Sequence, residues 1–173
     1  RAAMLGDCVE LDIRGSAIAW KMGFTAEVCR LLGSDVRKEF GMTLRYLEDK
    51  RDFLAGLRSE VFDRSCGLSL DDRNKLLKRT INSVGFGARA SNASWFVGDE
   101  WHSGALKKLY KDEPAAFVNL QRSSIFKKFI QEQDLLDAFV YQSCVDMGAA
   151  FLQSDDVRDG RGLSKPKVMA YLY

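Results

Sequence analysis

The chain has 173 residues, of which 46% are hydrophobic, and this is enough for one domain with a substantial core. Its 26 Lys and Arg residues face 24 Asp and Glu residues, so the formal net charge is only +2. This balance excludes the strong positive field of a histone-like or coat protein, and any affinity for nucleic acid must come from a local patch.

The cysteines and the histidine define no metal site. Cys8, Cys29, Cys66 and Cys144 are widely separated, contain no Cys-x-x-Cys pair and are accompanied by a single histidine, His102. Dispersed cysteines in a chain of this size usually behave as small buried apolar residues rather than as disulfides. No apolar run approaches the ~18–20 residues of a membrane span, and no basic region precedes an apolar core at the N-terminus. We therefore expect a soluble protein of the reducing cytoplasm with no membrane partner.

The first predicted element is a short strand over residues 8–13, where polarity alternates, with Asp12 near its C-terminal end. From Ser16 onward the apolar pattern becomes helical. We expect this helix to break at Gly23 and a second helix to follow over residues 25–32.

A long amphipathic segment over residues 36–61, interrupted at Gly41, leads through a connection at 62–69 to the most informative helix. Ser69 is placed to cap that helix, with Asp72 three residues later. The apolar side of the helix carries Leu76, Leu77, Ile81 and Val84, and the opposite side carries Asn74, Lys75, Lys78, Arg79 and Asn82. A lysine can neutralise phosphate, an amide one turn later can hydrogen-bond, and an aromatic residue between Gly85 and Gly87 can meet a base closely.

The remainder of the chain is predicted to be mainly helical. Residues 85–101 form a loop rich in glycine, serine, asparagine and aromatic residues. Helices are expected over 105–110, 114–133 and 135–152, followed by a polar loop at 154–164 and an apolar element at 165–173. The predicted fold class is mainly α with a small β element (α+β). We expect a single globular domain over residues 1–173, either complete or a fragment of a longer chain.

Two patterns together resemble the first two palm-and-fingers motifs of template-dependent DNA polymerases. One is Asp12 at the end of a strand, followed by Ser-Ala-x-x-Trp from Ser16, and the other is the helix reading Lys-x-x-x-Asn-Ser-x-x-Phe-Gly from Lys78. The spacing from Lys78 to the Phe-Gly pair is similar to family A, whereas Lys-x-x-x-Asn-Ser is similar to family B. The resemblance covers residues 8–89 and implies a helical domain like a polymerase palm-and-fingers fragment.

This resemblance implies a nucleotidyltransferase site whose partners are a primer-template and a nucleoside triphosphate. It makes Asp12 a catalytic residue and a ligand of Mg²⁺, and Lys78 a phosphate contact. Asn82 and Phe86 would face the nascent base pair, while Arg73 or Arg79 would supplement the triphosphate grip. Because such a reaction needs a second carboxylate, a further polypeptide or residues after Tyr173 would supply it.

A simpler interpretation fits the same residues. Asp12 is equally suited to cap the turn that follows its strand, and a charged helix face is most often a solvated exterior. The alternative is therefore a non-catalytic helical protein that binds nucleic acid or a protein partner, with the basic helix as an electrostatic contact. Asp146 is expected to face solvent or a neighbouring helix, and His102 to be a cap or surface residue.

Overall fold

A computed structural model of the chain describes residues 16–33, 35–97, 100–159 and 162–163, and most of them are helical. The helices are α1 (Ser16–Leu32), α2 (Val36–Glu39), α3 (Gly41–Glu48), α4 (Lys50–Val61), α5 (Leu70–Gly85), α6 (Ala105–Leu109), α7 (Pro114–Arg122) and α8 (Ser124–Asp146). Two short 3₁₀ helices follow at Ala150–Gln153 and Asp155–Val157. The mainly α class is thus confirmed, and no helix among the described residues is both long and apolar enough to span a membrane.

The strands of the described residues form two small antiparallel pairs. β1 (Ser94–Val97) pairs with β2 (Glu100–Ser103), and β3 (Arg158–Asp159) pairs with β4 (Gly162–Leu163). The first pair lies where the sequence predicts a loop, and the second lies in the polar segment before the C-terminus. The strand predicted over residues 8–13 is outside the described residues.

The expected break of the first helix at Gly23 is wrong, because α1 continues through this residue to Leu32. A glycine inside a helix costs only about 1 kcal/mol relative to alanine. Its neighbours Met22 and Thr25 are both buried, and their packing outweighs this cost.

The segment 36–61 is divided twice rather than once. The interruption predicted at Gly41 is confirmed, because α2 ends before Phe40 and α3 begins at Gly41. Phe40 is buried and turns the chain toward the core. A second division follows at Asp49, whose carboxylate accepts a hydrogen bond from Asp52 N (2.9 Å) and caps α4.

The predicted boundary between helices near residue 134 is also wrong. The boundary lies at Ser123, whose hydroxyl caps α8 by accepting from Phe126 N (3.0 Å). The carboxylate of Glu60 on α4 accepts from Ser123 Oγ (2.5 Å) and Ser124 Oγ (2.9 Å) at the same helix start. The predicted helix 114–133 ends at Gln133, but Gln133 is buried in the middle of α8.

The main core lies where α3, α4, α5, α6, α7 and α8 meet, and Ile18 of α1 also packs into it. Its largest buried side chains include the rings of Tyr46, Phe53 and Phe129, whose centroids lie 5.3–5.9 Å apart. A second apolar cluster joins α1 to α3 and α8 through Met22, Cys29, Phe40 and Leu136. Burial raises the pKa of the Cys29 thiol, which fits its role as a small apolar residue.

The first turn of α3 is capped by a residue from another helix. Phe40 at its N-cap offers no side-chain acceptor. The buried carboxylate of Glu132 on α8 instead accepts from Met42 N (3.0 Å), Thr43 N (2.7 Å) and Thr43 Oγ1 (2.8 Å). A negative charge at this position also complements the positive end of the helix dipole.

We predict that Glu132→Ala lowers the free energy of unfolding by about 2–3 kcal/mol, because it leaves buried donors of α3 unsatisfied. Urea unfolding followed by far-ultraviolet circular dichroism measures this loss. Gln131→Ala, an exposed change one residue earlier on α8, should alter the stability by less than about 0.5 kcal/mol. Equal losses in the two variants would contradict the capping role of Glu132.

Candidate nucleic-acid interface

α5 presents one buried side and one polar side, as its sequence predicts. Ser69 Oγ accepts from Asp72 N (3.2 Å) and donates to Asp72 Oδ2 (2.6 Å), which confirms the predicted N-cap. Leu77, Thr80, Ile81, Val84 and Gly85 are buried against the core, whereas Lys75, Lys78, Arg79 and Asn82 are exposed. The Asp71–Lys75 ion pair (2.6 Å) occupies the N-terminal part of the polar side.

The C-terminal end of α5 is a Schellman motif built around Gly87. Gly87 has a φ of +91°, Gly87 N donates to Val84 O (2.9 Å), and Ala88 N donates to Ser83 O (2.9 Å). This left-handed conformation favours glycine, so ending the helix is sufficient reason for a glycine at this position. The turn leaves the side chain of Phe86 59% exposed beside the last polar residues of the helix.

The end of α5 forms one wall of a cleft of about 540 Å³. We call it the α5 cleft, and it is lined by Arg79, Asn82, Ser83, Phe86, Gly87, Ala88 and Ala105. It brings together three of the five residues predicted to bind nucleotide, namely Arg79, Asn82 and Phe86. A guanidinium, a carboxamide and an exposed ring are the groups that contact phosphate, base edges and base faces.

The other two predicted nucleotide contacts, Lys78 and Arg73, do not line the α5 cleft. Lys78 is exposed on the same helix, next to Arg79. Arg73 lies six residues before Arg79, which corresponds to roughly 9 Å along the helix axis. Its guanidinium donates to Leu68 O (2.9 Å) and Cys66 O (2.5 Å) and lies 5.7 Å from the ring centre of Phe62. These contacts order the connection before α5, and a nucleotide contact of Arg73 stays a prediction.

The remaining candidate residues are Asp12, His102 and Asp146. Asp12 lies outside the described residues, as does the side chain of His102. Asp146 ends α8, is exposed and accepts from Gln142 Nε2 (2.7 Å), as expected for a surface residue.

A buried charge network holds the end of α5 in place. Lys21 on α1 is fully buried, and its Nζ donates to Gly85 O (3.0 Å) and to Asp137 Oδ1 (2.8 Å) on α8. Arg89 donates to Asp137 Oδ2 (3.0 Å), to Asp134 Oδ1 (2.7 Å) and to Val84 O (3.4 Å). The cations therefore meet carbonyl groups of the last turn of α5, where the helix dipole is negative.

Burial lowers the pKa of Lys21, because desolvation of the ammonium outweighs the opposing effect of Asp137. In the sequence, Lys21 is the one charged residue of the stretch 16–26, but this pattern does not show which group is its partner. Asp137 reads as an ordinary polar residue of a helix. Only the docking of α1 and α8 brings the two charges together.

No ligand set and no related protein identifies the site. Within the described ranges, no group of three or more His, Cys, Asp or Glu residues is placed to hold a metal ion. The expectation of Mg²⁺ therefore depends on Asp12 and stays a prediction. Comparison of the chain with protein-family models, with curated proteins and with solved structures finds no match.

We predict that Asp137→Leu lowers the free energy of unfolding by about 3–5 kcal/mol, because it leaves the ammonium of Lys21 buried without its carboxylate. The double variant Lys21→Met/Asp137→Leu should recover most of this loss, since both charges are then replaced by apolar groups. Urea unfolding of the single and double variants measures the coupling.

The Asp137→Leu variant should also become more stable as pH rises toward 10.5, the ordinary pKa of lysine. With the pKa of Lys21 lowered in the folded state, the unfolded chain binds more protons over this range, so raising the pH favours folding. The double variant lacks Lys21 and serves as the control, because its free energy of unfolding should not rise with pH in this way. A double variant no more stable than Asp137→Leu would contradict the ion-pair role.

Proposed function

We propose that the protein binds nucleic acid, and nucleotides as its units, through the α5 cleft. The observation that carries this proposal is that Arg79, Asn82 and Phe86 line one cleft of about 540 Å³. This volume lies within the range of about 300–1,000 Å³ that is usual for small-ligand sites. The groups offered are those needed for one nucleotide: a charge for the phosphate, an amide for the base edge and a ring for stacking.

The local charge supports an anionic ligand even though the net charge of the chain is small. Lys78 and Arg79 are adjacent and exposed, and neither has an acidic partner within ion-pair distance in the described part of the chain. By contrast, Lys75 on the same helix is paired with Asp71. Arg79, which lines the cleft, and its neighbour Lys78 therefore offer positive charge to a ligand at this site.

The cleft favours a single strand over a duplex. A base can stack on Phe86 only when its face is exposed, as in single-stranded segments and at strand ends. A duplex keeps its base faces covered and would offer this cleft only phosphate contacts.

We predict that Phe86→Ala weakens the binding of a fluorescein-labelled oligothymidylate by about 1–3 kcal/mol, because a stacking platform is lost. Fluorescence anisotropy at fixed salt measures the affinity. Leu70→Ala is the matched control, since Leu70 is 62% exposed at the other end of the same helix. It should leave the affinity unchanged, and an equal loss in both variants would contradict a role of the cleft.

Arg79→Gln in the same assay should weaken binding and reduce the slope of log affinity against log salt by about 1, because one phosphate contact is lost. Arg51→Gln removes the same charge from an exposed position on α4 and controls for the overall field. An unchanged slope in Arg79→Gln would contradict a phosphate contact at the cleft.

The nucleotidyltransferase activity implied by the polymerase resemblance is a separate proposal that depends on Asp12. If Asp12 acts there, binding of a nucleoside triphosphate to the protein with a primer-template should require Mg²⁺. This nucleotide binding should then be lost in both Asp12→Ala and Lys78→Ala. Binding that ignores removal of Mg²⁺, falls steeply with salt and responds to Lys78→Ala alone would instead support the non-catalytic protein.

A further inference from the structure

A second recess lies between α6 and the start of α7, and its chemistry differs from that of the α5 cleft. It has a volume of about 730 Å³. Three lysines, Lys107, Lys108 and Lys111, line it together with Tyr110, Phe117 and Val118. We call this recess the basic groove.

The floor of the basic groove is apolar and neutral. The rings of Tyr110 and Phe117 are buried, with centroids 5.8 Å apart. The hydroxyl of Tyr110 is hydrogen-bonded to Thr80 Oγ1 (2.9 Å), and burial raises the pKa of Tyr110 to about 12. Val118 is 42% exposed and offers an accessible aliphatic surface.

The lysines give the groove a positive rim. None of the three has an acid within ion-pair distance among the described residues. Lys107 Nζ donates to Asn92 O (3.2 Å) and Ser94 Oγ (3.4 Å), and these bonds hold its ammonium beside the groove. Lys108 and Lys111 are exposed, and Asp112 is the nearest acid in sequence. Their charge is therefore available to an anionic partner.

The floor argues for a peptide rather than for a nucleic acid. Tyr110 is 1% exposed and Phe117 is 6% exposed, so neither ring offers a face on which a base could stack. The accessible apolar surface of the groove is aliphatic and consists of Val118, Pro114 and the methylene stems of the lysines. An aliphatic side chain flanked by carboxylates complements both the floor and the rim.

We propose that the basic groove binds a short acidic segment of a partner protein. An apolar side chain of that segment packs on Val118, and flanking Asp or Glu residues pair with Lys107, Lys108 and Lys111. This site is independent of nucleic-acid binding at the α5 cleft.

The test uses the full chain and a fluorescein-labelled peptide of about ten residues in which Glu and Leu alternate. Fluorescence anisotropy should show saturable binding that Lys107→Gln/Lys108→Gln/Lys111→Gln weakens about tenfold or more. The matched control, Lys38→Gln/Lys127→Gln/Lys128→Gln, removes the same charge from exposed positions on α2 and α8. It should change the affinity less than twofold, because these lysines do not line the groove and their charges are screened by solvent.

Two further measurements distinguish binding in the groove from attraction by the overall charge of the protein. Val118→Ser changes an exposed side chain without changing charge and should weaken peptide binding severalfold, as should a peptide with Ser in place of Leu. Phe86→Ala should leave peptide binding unchanged, so a failure of this proposal is distinguishable from a failure at the α5 cleft.

Several outcomes would overturn the proposal. Equal weakening by the two triple variants would assign the binding to the general field of the protein. Undiminished binding of the Ser-containing peptide, or of the Val118→Ser variant, would remove the apolar floor from the interaction. An oligothymidylate whose binding depends on the three lysines as strongly as that of the peptide would make the groove a nucleic-acid contact. Self-association lost in the lysine triple variant, with no peptide binding, would make a second copy of the chain the occupant.

Discussion

The burial of Lys21 beneath the end of α5 is the constraint on which the arrangement of the described helices depends. An ammonium taken out of water must be surrounded by acceptors, and Gly85 O and Asp137 provide them at 3.0 and 2.8 Å. These two contacts fix α1 and α8 against the same point of α5. Arg89 adds a second cation at that point, although the last turn of α5 has no basic residue of its own. The turn at Gly87 sets the direction in which the chain leaves α5, and Arg89 holds that turn by donating to Val84 O and Ala88 O.

Three other helix ends in the described part of the chain also receive a side chain from another helix. Glu132 on α8 serves the start of α3, Glu60 on α4 serves the start of α8, and Asn119 on α7 donates to Val61 O at the end of α4 (3.2 Å). Each contact satisfies a backbone or capping group and at the same time joins two helices. These polar contacts therefore add defined atom-to-atom links to the packing of the apolar clusters.

Local sequence signals predicted the parts of this structure that local interactions determine. The Ser69 cap, the apolar side of α5 and the mainly helical class all follow from spacing within a few residues. Spacing also places Arg79, Asn82 and Phe86 at one helix end, which is why the cleft contains them together. The continuation through Gly23 and the boundary at Ser123 depend on burial against distant helices, and no local pattern reports that burial. The pairing of Lys21 with Asp137 spans 116 residues and is likewise invisible before the helices dock.

The cap on α3 has a consequence for the order in which the chain can acquire its structure. Glu132 follows Thr43 by 89 residues, so the group that completes the first turn of α3 is synthesised long after α3 itself. During translation the emerging N-terminal helices lack both this carboxylate and the Asp137 partner of Lys21. Their final packing must wait until α8 has left the ribosome. A long loop has to close before the contacts with α8 can form and stabilise the structure. The N-terminal helices therefore reach their final packing only after α8 has been synthesised.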